Sequence, residues 1–60
     1  NLNIMPMNKK DYQYLAYTLN RNSGNITRAD YKKLINSLCQ NFYKRDKQFN
    51  GKWFVECCNE

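Results

Sequence analysis

The amino-acid sequence predicts an all-α fold: a compact three-helix bundle, or a helical hairpin with a short third helix laid across it. Three observations favour this fold. Apolar residues recur at helical spacing, capping residues stand in front of each apolar run, and no run alternates apolar and polar residues as a strand does. A chain of 60 residues has room for one core, so residues 1–60 are expected to form a single small domain.

The first helix is predicted over about residues 8–21, after a tail at residues 1–7. Asn8 is a suitable N-cap, because its side chain can accept a hydrogen bond from a free backbone N–H group of the first turn. Asp11 lies in that turn, where a carboxylate favours the positive end of the helix dipole. Apolar spacing indicates that the buried face consists of Tyr12, Leu15, Ala16 and Leu19.

The second helix, over about residues 27–44, has the clearest start signal. Thr27 followed by Asp30 approximates a capping box, and Ile26 is placed to pack onto Tyr31 as a hydrophobic staple. Spacings of i, i+3, i+4, i+7, i+8 and i+11 then define the predicted buried stripe: Tyr31, Leu34, Ile35, Leu38, Cys39 and Phe42.

A short third helix is predicted over about residues 50–58, with Asn50 as its N-cap. Phe49 and Phe54 flank this cap at the spacing of a second hydrophobic staple. Trp53 lies in the first turn, where it can close one end of the core. The predicted buried side of this helix consists of Phe54, Cys57 and Cys58.

Two polar connections separate the predicted helices. The segment NRNSGN at residues 20–25 has the composition of a loop, in which Gly24 supplies a permissive backbone. The segment KRDKQ at residues 44–48 is a charged connection. Both are short, so consecutive helices are expected to pack against one another.

The charge balance favours acidic partners. Ten Lys and Arg residues against five Asp and Glu give a net charge of +5, and the chain contains no histidine. Such a charge suits nucleic acid, an acidic protein groove or an anionic membrane surface. No apolar run approaches the roughly 20 residues that cross a bilayer, and no segment has the order of a signal peptide. We therefore expect a soluble, cytoplasmic protein without a membrane partner.

The residues that could carry out catalysis or hold a metal are few. The cysteines, Cys39, Cys57 and Cys58, are odd in number and two are adjacent, so we expect reduced thiols, with Cys39 and at least one of the adjacent pair buried. A structural zinc site usually takes four Cys or His ligands, and a cysteine nucleophile needs a base beside it. Neither glycine is followed by the residues of a phosphate-binding loop. The sequence therefore predicts no enzyme, no metal and no cofactor.

One set of residues is a candidate binding surface. On the first helix Lys10, Tyr14, Tyr17 and Arg21 follow one line opposite the buried face, at i, i+4, i+7 and i+11. The second helix adds basic, amide and aromatic residues on its outer side: Lys32, Lys33, Asn36, Gln40, Tyr43 and Lys44.

Three interpretations of this surface remain open. Tyrosine and arginine are enriched at protein interfaces, where a ring gives a large contact area at low entropic cost. Cations interleaved with aromatic rings also suit single-stranded nucleic acid, because cations follow the phosphates while rings stack on bases. Alternatively, the rings simply shield lysine stems. A sequence-reading helix-turn-helix is disfavoured, since the first loop is too long and the third helix is largely apolar.

The opening MNKKDYQYLAYTLN and the close NFYKRDKQFNGKWFVECC resemble a diffuse group of very small, mostly uncharacterised phage and prophage proteins. The resemblance covers about half of the chain and is carried by these residues: Lys9, Lys10, Asp11, Tyr12, Phe49, Asn50, Phe54 and Cys58. Most of the matched residues are predicted to be structural, so any functional face lies elsewhere.

The resemblance implies a setting in the cytoplasm of a bacterial host. An accessory phage protein typically binds a host protein or ribonucleoprotein and blocks or redirects it, as an inhibitor of a CRISPR effector does. The combined prediction is a non-enzymatic binding protein of this kind, monomeric or homodimeric. The alternative is direct nucleic-acid binding through the same basic and aromatic residues.

Overall fold

The computed structural model describes residues 7–60, and within them the predicted all-α fold is confirmed. Three α-helices form a small bundle: α1 (Lys9–Arg21), α2 (Arg28–Arg45) and α3 (Gly51–Cys58). A 3-10 turn at Ser23–Asn25 joins the first two helices. The predicted helix ends agree to within one residue, while most of the predicted tail, residues 1–6, lies outside the described part. No helix of residues 7–60 has the length and apolar character to cross a membrane.

The start of α1 is fixed by a complete capping box. The Asn8 side chain accepts a hydrogen bond from the Asp11 backbone N–H at 3.0 Å. In return the Asn8 backbone N–H donates to the Asp11 carboxylate at 3.1 Å. The sequence predicts the N-cap, and for Asp11 it predicts only a favourable interaction with the helix dipole. Its carboxylate in fact satisfies one further backbone donor at the helix start.

The other two helices also begin at their predicted caps. The Thr27 side chain accepts from the Asp30 backbone N–H at 3.1 Å, and that of Asn50 accepts from the Trp53 backbone N–H at 3.0 Å. Within the described chain Asp30 makes no return bond to Thr27, so only half of the predicted second capping box forms. Each cap satisfies a backbone donor that the helix itself leaves free.

Four aromatic rings form the centre of the core. Their centroids lie between 4.9 and 6.4 Å apart in edge-to-face or tilted arrangements, which the ring quadrupoles favour. The set comprises Tyr12, Phe42, Phe49 and Phe54. The predicted staple between Phe49 and Phe54 is confirmed, with ring centroids 5.6 Å apart. Every helix, together with the connection before α3, contributes to this cluster, so it joins the whole domain.

The short helix α3 organises the bundle, because it contacts both α1 and α2 more extensively than those two contact each other. The Lys9 ammonium lies 5.4 Å from the Trp53 ring centroid, and the Asn20 side-chain amide donates to the Glu60 backbone oxygen at 2.7 Å. These contacts align α3 parallel to α1. The Tyr31 hydroxyl, near the start of α2, donates to the Cys58 carbonyl oxygen at the end of α3 at 2.7 Å, while the Cys39 sulfur, later in α2, contacts the carbonyl of Gly51 at the start of α3, so α2 is antiparallel to α3.

Two expectations from the sequence are wrong in detail. Leu34, predicted to be buried, is 41% exposed. One residue step, roughly 100° of rotation, separates Leu34 from the buried Ile35, so Leu34 lies at the edge of the α2 stripe. Gly24 has no positive φ, so its place in the 3-10 turn does not require glycine.

Candidate binding surfaces and a basic groove

The outer face of α1 carries three of its four predicted binding residues. Lys10, Tyr14 and Arg21 are exposed, and Tyr14 is the most exposed large hydrophobic side chain of the described residues at 66%. We call these three residues the α1 surface. With a rise of about 1.5 Å per residue, Lys10 and Tyr14 stand about 6 Å apart along the axis and Arg21 about 10 Å further on. A single ring therefore lies between two cations.

Tyr17 was also predicted to belong to this surface, but it is less exposed than the other three residues. Its side chain is half-buried and packs against the core, while its hydroxyl accepts a hydrogen bond from the Gln13 side-chain amide at 3.1 Å. The helix α3 lies parallel to α1, the Asn20 side chain bonds Glu60 just beyond the end of α3, and Tyr17 packs against the core to which α3 contributes. Periodicity along α1 could not reveal which edge a later helix would cover.

A second exposed group lies on the outer side of α2 and just beyond its end. Tyr43 is 51% exposed, and the Lys47 ammonium lies 4.5 Å from its ring centroid, a cation–π distance. Lys47 is not among the predicted site residues, because it follows the end of α2, where helical spacing no longer applies. We call this group the α2 surface: Lys33, Gln40, Tyr43, Lys44 and Lys47, all of them exposed.

The two remaining predicted residues, Lys32 and Asn36, line a groove instead of the outer side of α2. The groove lies between the C-terminal end of α1, the first half of α2 and the C-terminal half of α3. Its apolar lining comes from the connection between α1 and α2, from α2 and from α3: Ile26, Tyr31, Ile35 and Val55. Arg28, which is not among the predicted site residues, stands on the same rim as Lys32 and Asn36. No local pattern predicts a groove built from three segments.

The structure thus divides the predicted binding residues among three parts, and Tyr17 among them is half-buried. The α1 surface and the α2 surface stand on different helices, and the side-chain hydrogen bonds and ring contacts of residues 7–60 do not join them. Lys32 and Asn36 belong to the groove. Each part can therefore be altered by mutation without touching the others.

The thiols lie in the interior and are poorly suited to nucleophilic chemistry. Cys57 and Cys58 are buried, as predicted for at least one of them, and Cys39 is half-buried. Burial raises the pKa of all three thiols, and that of Cys58 reaches about 11, with the neighbouring thiols Cys39 and Cys57 adding to the effect. At neutral pH they remain protonated, and the thiolate is the reactive form. Residues 7–60 bring together no group of three or more metal-ligating side chains.

Comparison with protein-family models, with curated proteins and with solved structures finds no match to this chain. Within the structure, four of the residues that carry the resemblance to small phage proteins are buried: Tyr12, Phe49, Phe54 and Cys58. Asn50 caps α3, as predicted. These residues therefore have structural roles, and the exposed α1 surface, α2 surface and groove are the parts available to a partner.

Proposed function

We propose that this chain is a non-enzymatic binding protein whose α1 surface docks onto an acidic surface of a partner protein. The observation that carries the proposal is the exposure of Tyr14, which leaves 66% of a large side chain in water between Lys10 and Arg21. A tyrosine offers contact area with few rotamers to freeze, and its hydroxyl remains able to bond at the edge of an interface.

The neighbouring charges support the same kind of partner. Lys10 and Arg21 are exposed and lie on the line of Tyr14 along α1. Cations at the rim of an interface mainly accelerate association and select the partner, whereas a central ring slows dissociation. The overall net charge of +5 acts in the same direction, because it steers the chain towards acidic surfaces.

The resemblance to small phage proteins supplies the biological setting of the proposal. In that setting the partner is a host protein or ribonucleoprotein in the bacterial cytoplasm, which the bound chain blocks or redirects. A complex of host defence, such as a CRISPR effector, is one such target. The raised pKa values of the buried thiols support a non-enzymatic role, because they leave no reactive thiolate at neutral pH.

The alternative function is nucleic-acid binding through the α2 surface. It is favoured by the Tyr43 ring, which is 51% exposed and has the Lys47 ammonium 4.5 Å from its centroid. A base can stack on the free face of such a ring while Lys44 and Lys47 contact the phosphates. Binding of this kind weakens steeply as salt is added, because each neutralised phosphate releases counterions.

One pull-down experiment separates the two functions. The purified chain is used to capture partners from bacterial lysate with and without nuclease, in parallel with Tyr14→Ala and Tyr43→Ala variants of intact helical content. Protein docking predicts capture that survives nuclease, is lost in Tyr14→Ala and persists in Tyr43→Ala. Capture that disappears with nuclease and with Tyr43→Ala would instead establish the alternative.

A further inference from the structure

The groove between the three helices combines an apolar lining with a cationic rim. Its open apolar atoms come mainly from Ile26, which is 40% exposed, and from half-buried Val55. Tyr31 and Ile35 close the bottom and are themselves only 7% and 4% exposed. An incoming aliphatic side chain can therefore replace water on the lining without displacing a core residue.

Three of the polar groups around the groove are already engaged within the chain. The Asn20 amide donates to the Glu60 backbone oxygen at 2.7 Å, and the Ser23 hydroxyl donates to the Asn20 carbonyl at 2.7 Å. The Asn59 amide donates to the Val55 carbonyl at 2.9 Å. These donors stabilise the ends of α1 and α3, so they contribute little to the recognition of a ligand.

The opposite rim presents side chains whose donors remain open to a ligand. Arg28, Lys32 and Asn36 are exposed and follow one another at i, i+4 and i+8 along α2. Successive members are therefore about 6 Å apart along the helix axis. Among the described residues that line the groove there is no Asp or Glu. The rim thus offers two cations and an amide at a fixed spacing.

We propose that this groove binds an acidic, amphipathic segment of a partner protein. Two carboxylates spaced by one helical turn pair with Arg28 and Lys32, while an apolar side chain next to them rests on Ile26 and Val55. A guanidinium donates two parallel N–H hydrogen bonds to a carboxylate, which fixes the register of the segment. The site lies apart from the α1 surface and does not depend on Tyr14.

The lining favours a peptide over nucleic acid. Base recognition in single strands depends on exposed aromatic rings. The ring at the bottom of this groove, Tyr31, is only 7% exposed. The accessible lining, Ile26 and Val55, is aliphatic. Aliphatic side chains flanked by cations match leucine or isoleucine flanked by carboxylates, as in an amphipathic acidic helix.

The test uses the full chain, isotope-labelled for NMR, and a synthetic peptide of about twelve residues with Glu at i and i+4 and Leu between them. The expected result is that amide signals of Ile26, Lys32 and Val55 shift with the peptide, while that of Tyr14 stays in place. A peptide with Lys in place of each Glu is expected to cause no shifts. No shifts with the acidic peptide, or shifts centred on Tyr14, would overturn the proposal.

A matched pair of variants separates specific pairing from general attraction. Lys32→Glu and Lys33→Glu change the net charge equally and both positions are exposed, but only Lys32 lines the groove. Lys32→Glu is expected to weaken binding of the acidic peptide about tenfold or more, and Lys33→Glu about threefold or less. Equal weakening by both would overturn the site, as would a single-stranded oligonucleotide that shifts the groove signals more strongly than the peptide. A Tyr14→Ala variant is expected to bind the peptide normally. A failure of the proposal for the α1 surface can therefore be distinguished from a failure of the proposal for the groove.

Discussion

The hydroxyl of Tyr31 donates a hydrogen bond to the backbone carbonyl oxygen of Cys58 at 2.7 Å. The last carbonyl groups of an α-helix have no partner within the helix, and Cys58 is the last residue of α3. Because both residues are buried, water does not replace this bond. One side chain of α2 therefore satisfies a backbone acceptor of α3 and holds the two helices in register.

Tyr31→Phe is the first test of this arrangement. It deletes the donor and leaves the Cys58 carbonyl buried without this partner, so we expect a loss of about 1–3 kcal/mol in the free energy of unfolding. Tyr43→Phe removes the same atom from a residue that is 51% exposed and serves as the control, with an expected change near zero. Denaturant unfolding measures both. Equal effects of the two variants would show that the bond contributes nothing.

The second prediction concerns the N-cap of α2. Thr27→Ala removes the acceptor for the Asp30 N–H and should cost about 0.5–2 kcal/mol, a large fraction of the stability of so small a domain. Thr18→Ala is a matched control, because Thr18 lies inside α1, is exposed and bonds only the carbonyl of its own helix. Alanine at position 18 is expected to be neutral or slightly stabilising. If Thr27→Ala had the same midpoint of thermal unfolding as the wild type, the Thr27 cap would make no contribution to the stability of α2.

At Gly51 a substitution is predicted to increase the stability of the domain. It is the first residue of α3 and has no positive φ, and a Cβ there would lie 3.7 Å from a Phe49 ring atom and 3.8 Å from the Cys39 sulfur. Both are ordinary van der Waals distances. Gly51→Ala is therefore expected to stabilise the domain by about 0.4–1 kcal/mol, since alanine restricts the unfolded chain. A destabilised Gly51→Ala variant in denaturant unfolding would mean that this contact is too tight.

Alkaline pH should destabilise the domain from about pH 9 upwards. Burial raises the pKa of Cys58 from its ordinary 9.0 to about 11, so between these values the unfolded thiol loses its proton while the folded one keeps it. Unfolding then releases protons, and rising pH favours the unfolded state. Burial likewise raises the pKa of Tyr12 and Tyr31 above 10.0, which adds to the loss at higher pH.

Thermal unfolding under reducing conditions measures this dependence. The midpoint is expected to be level from neutral pH to about pH 9 and to fall as pH rises towards 11. In Cys58→Ala the decline between these values should be shallower, because one of the shifted groups is gone. A midpoint that is constant over the whole range would mean that the thiols are not protected in the folded state.

The sequence was sufficient for the features that depend on near neighbours. The N-caps at Asn8, Thr27 and Asn50 act on backbone groups three residues away, so their pattern is visible locally. The buried residues at the centre of each apolar stripe were likewise predictable from helical periodicity. These two kinds of signal account for the correct helix ends.

The sequence was insufficient wherever the position of a third helix decides exposure. Tyr17, which periodicity places opposite the buried face, packs against the core, whereas Leu34, which periodicity places in the buried stripe, is 41% exposed. Periodicity within one helix does not show how the other helices pack against it. The groove poses the same difficulty, because Ile26, Lys32 and Val55 come from distant segments and meet only in the folded chain.

The central claim, that Tyr14 is the anchor of a protein interface, is tested most directly by affinity. The partner captured from lysate is purified, and its dissociation constant is measured for the wild-type chain and for Tyr14→Ala and Tyr43→Ala. We predict that Tyr14→Ala weakens binding about 30-fold or more, roughly 2 kcal/mol, while Tyr43→Ala changes it about threefold or less. Unchanged affinity in Tyr14→Ala, or a larger loss in Tyr43→Ala, would contradict the claim.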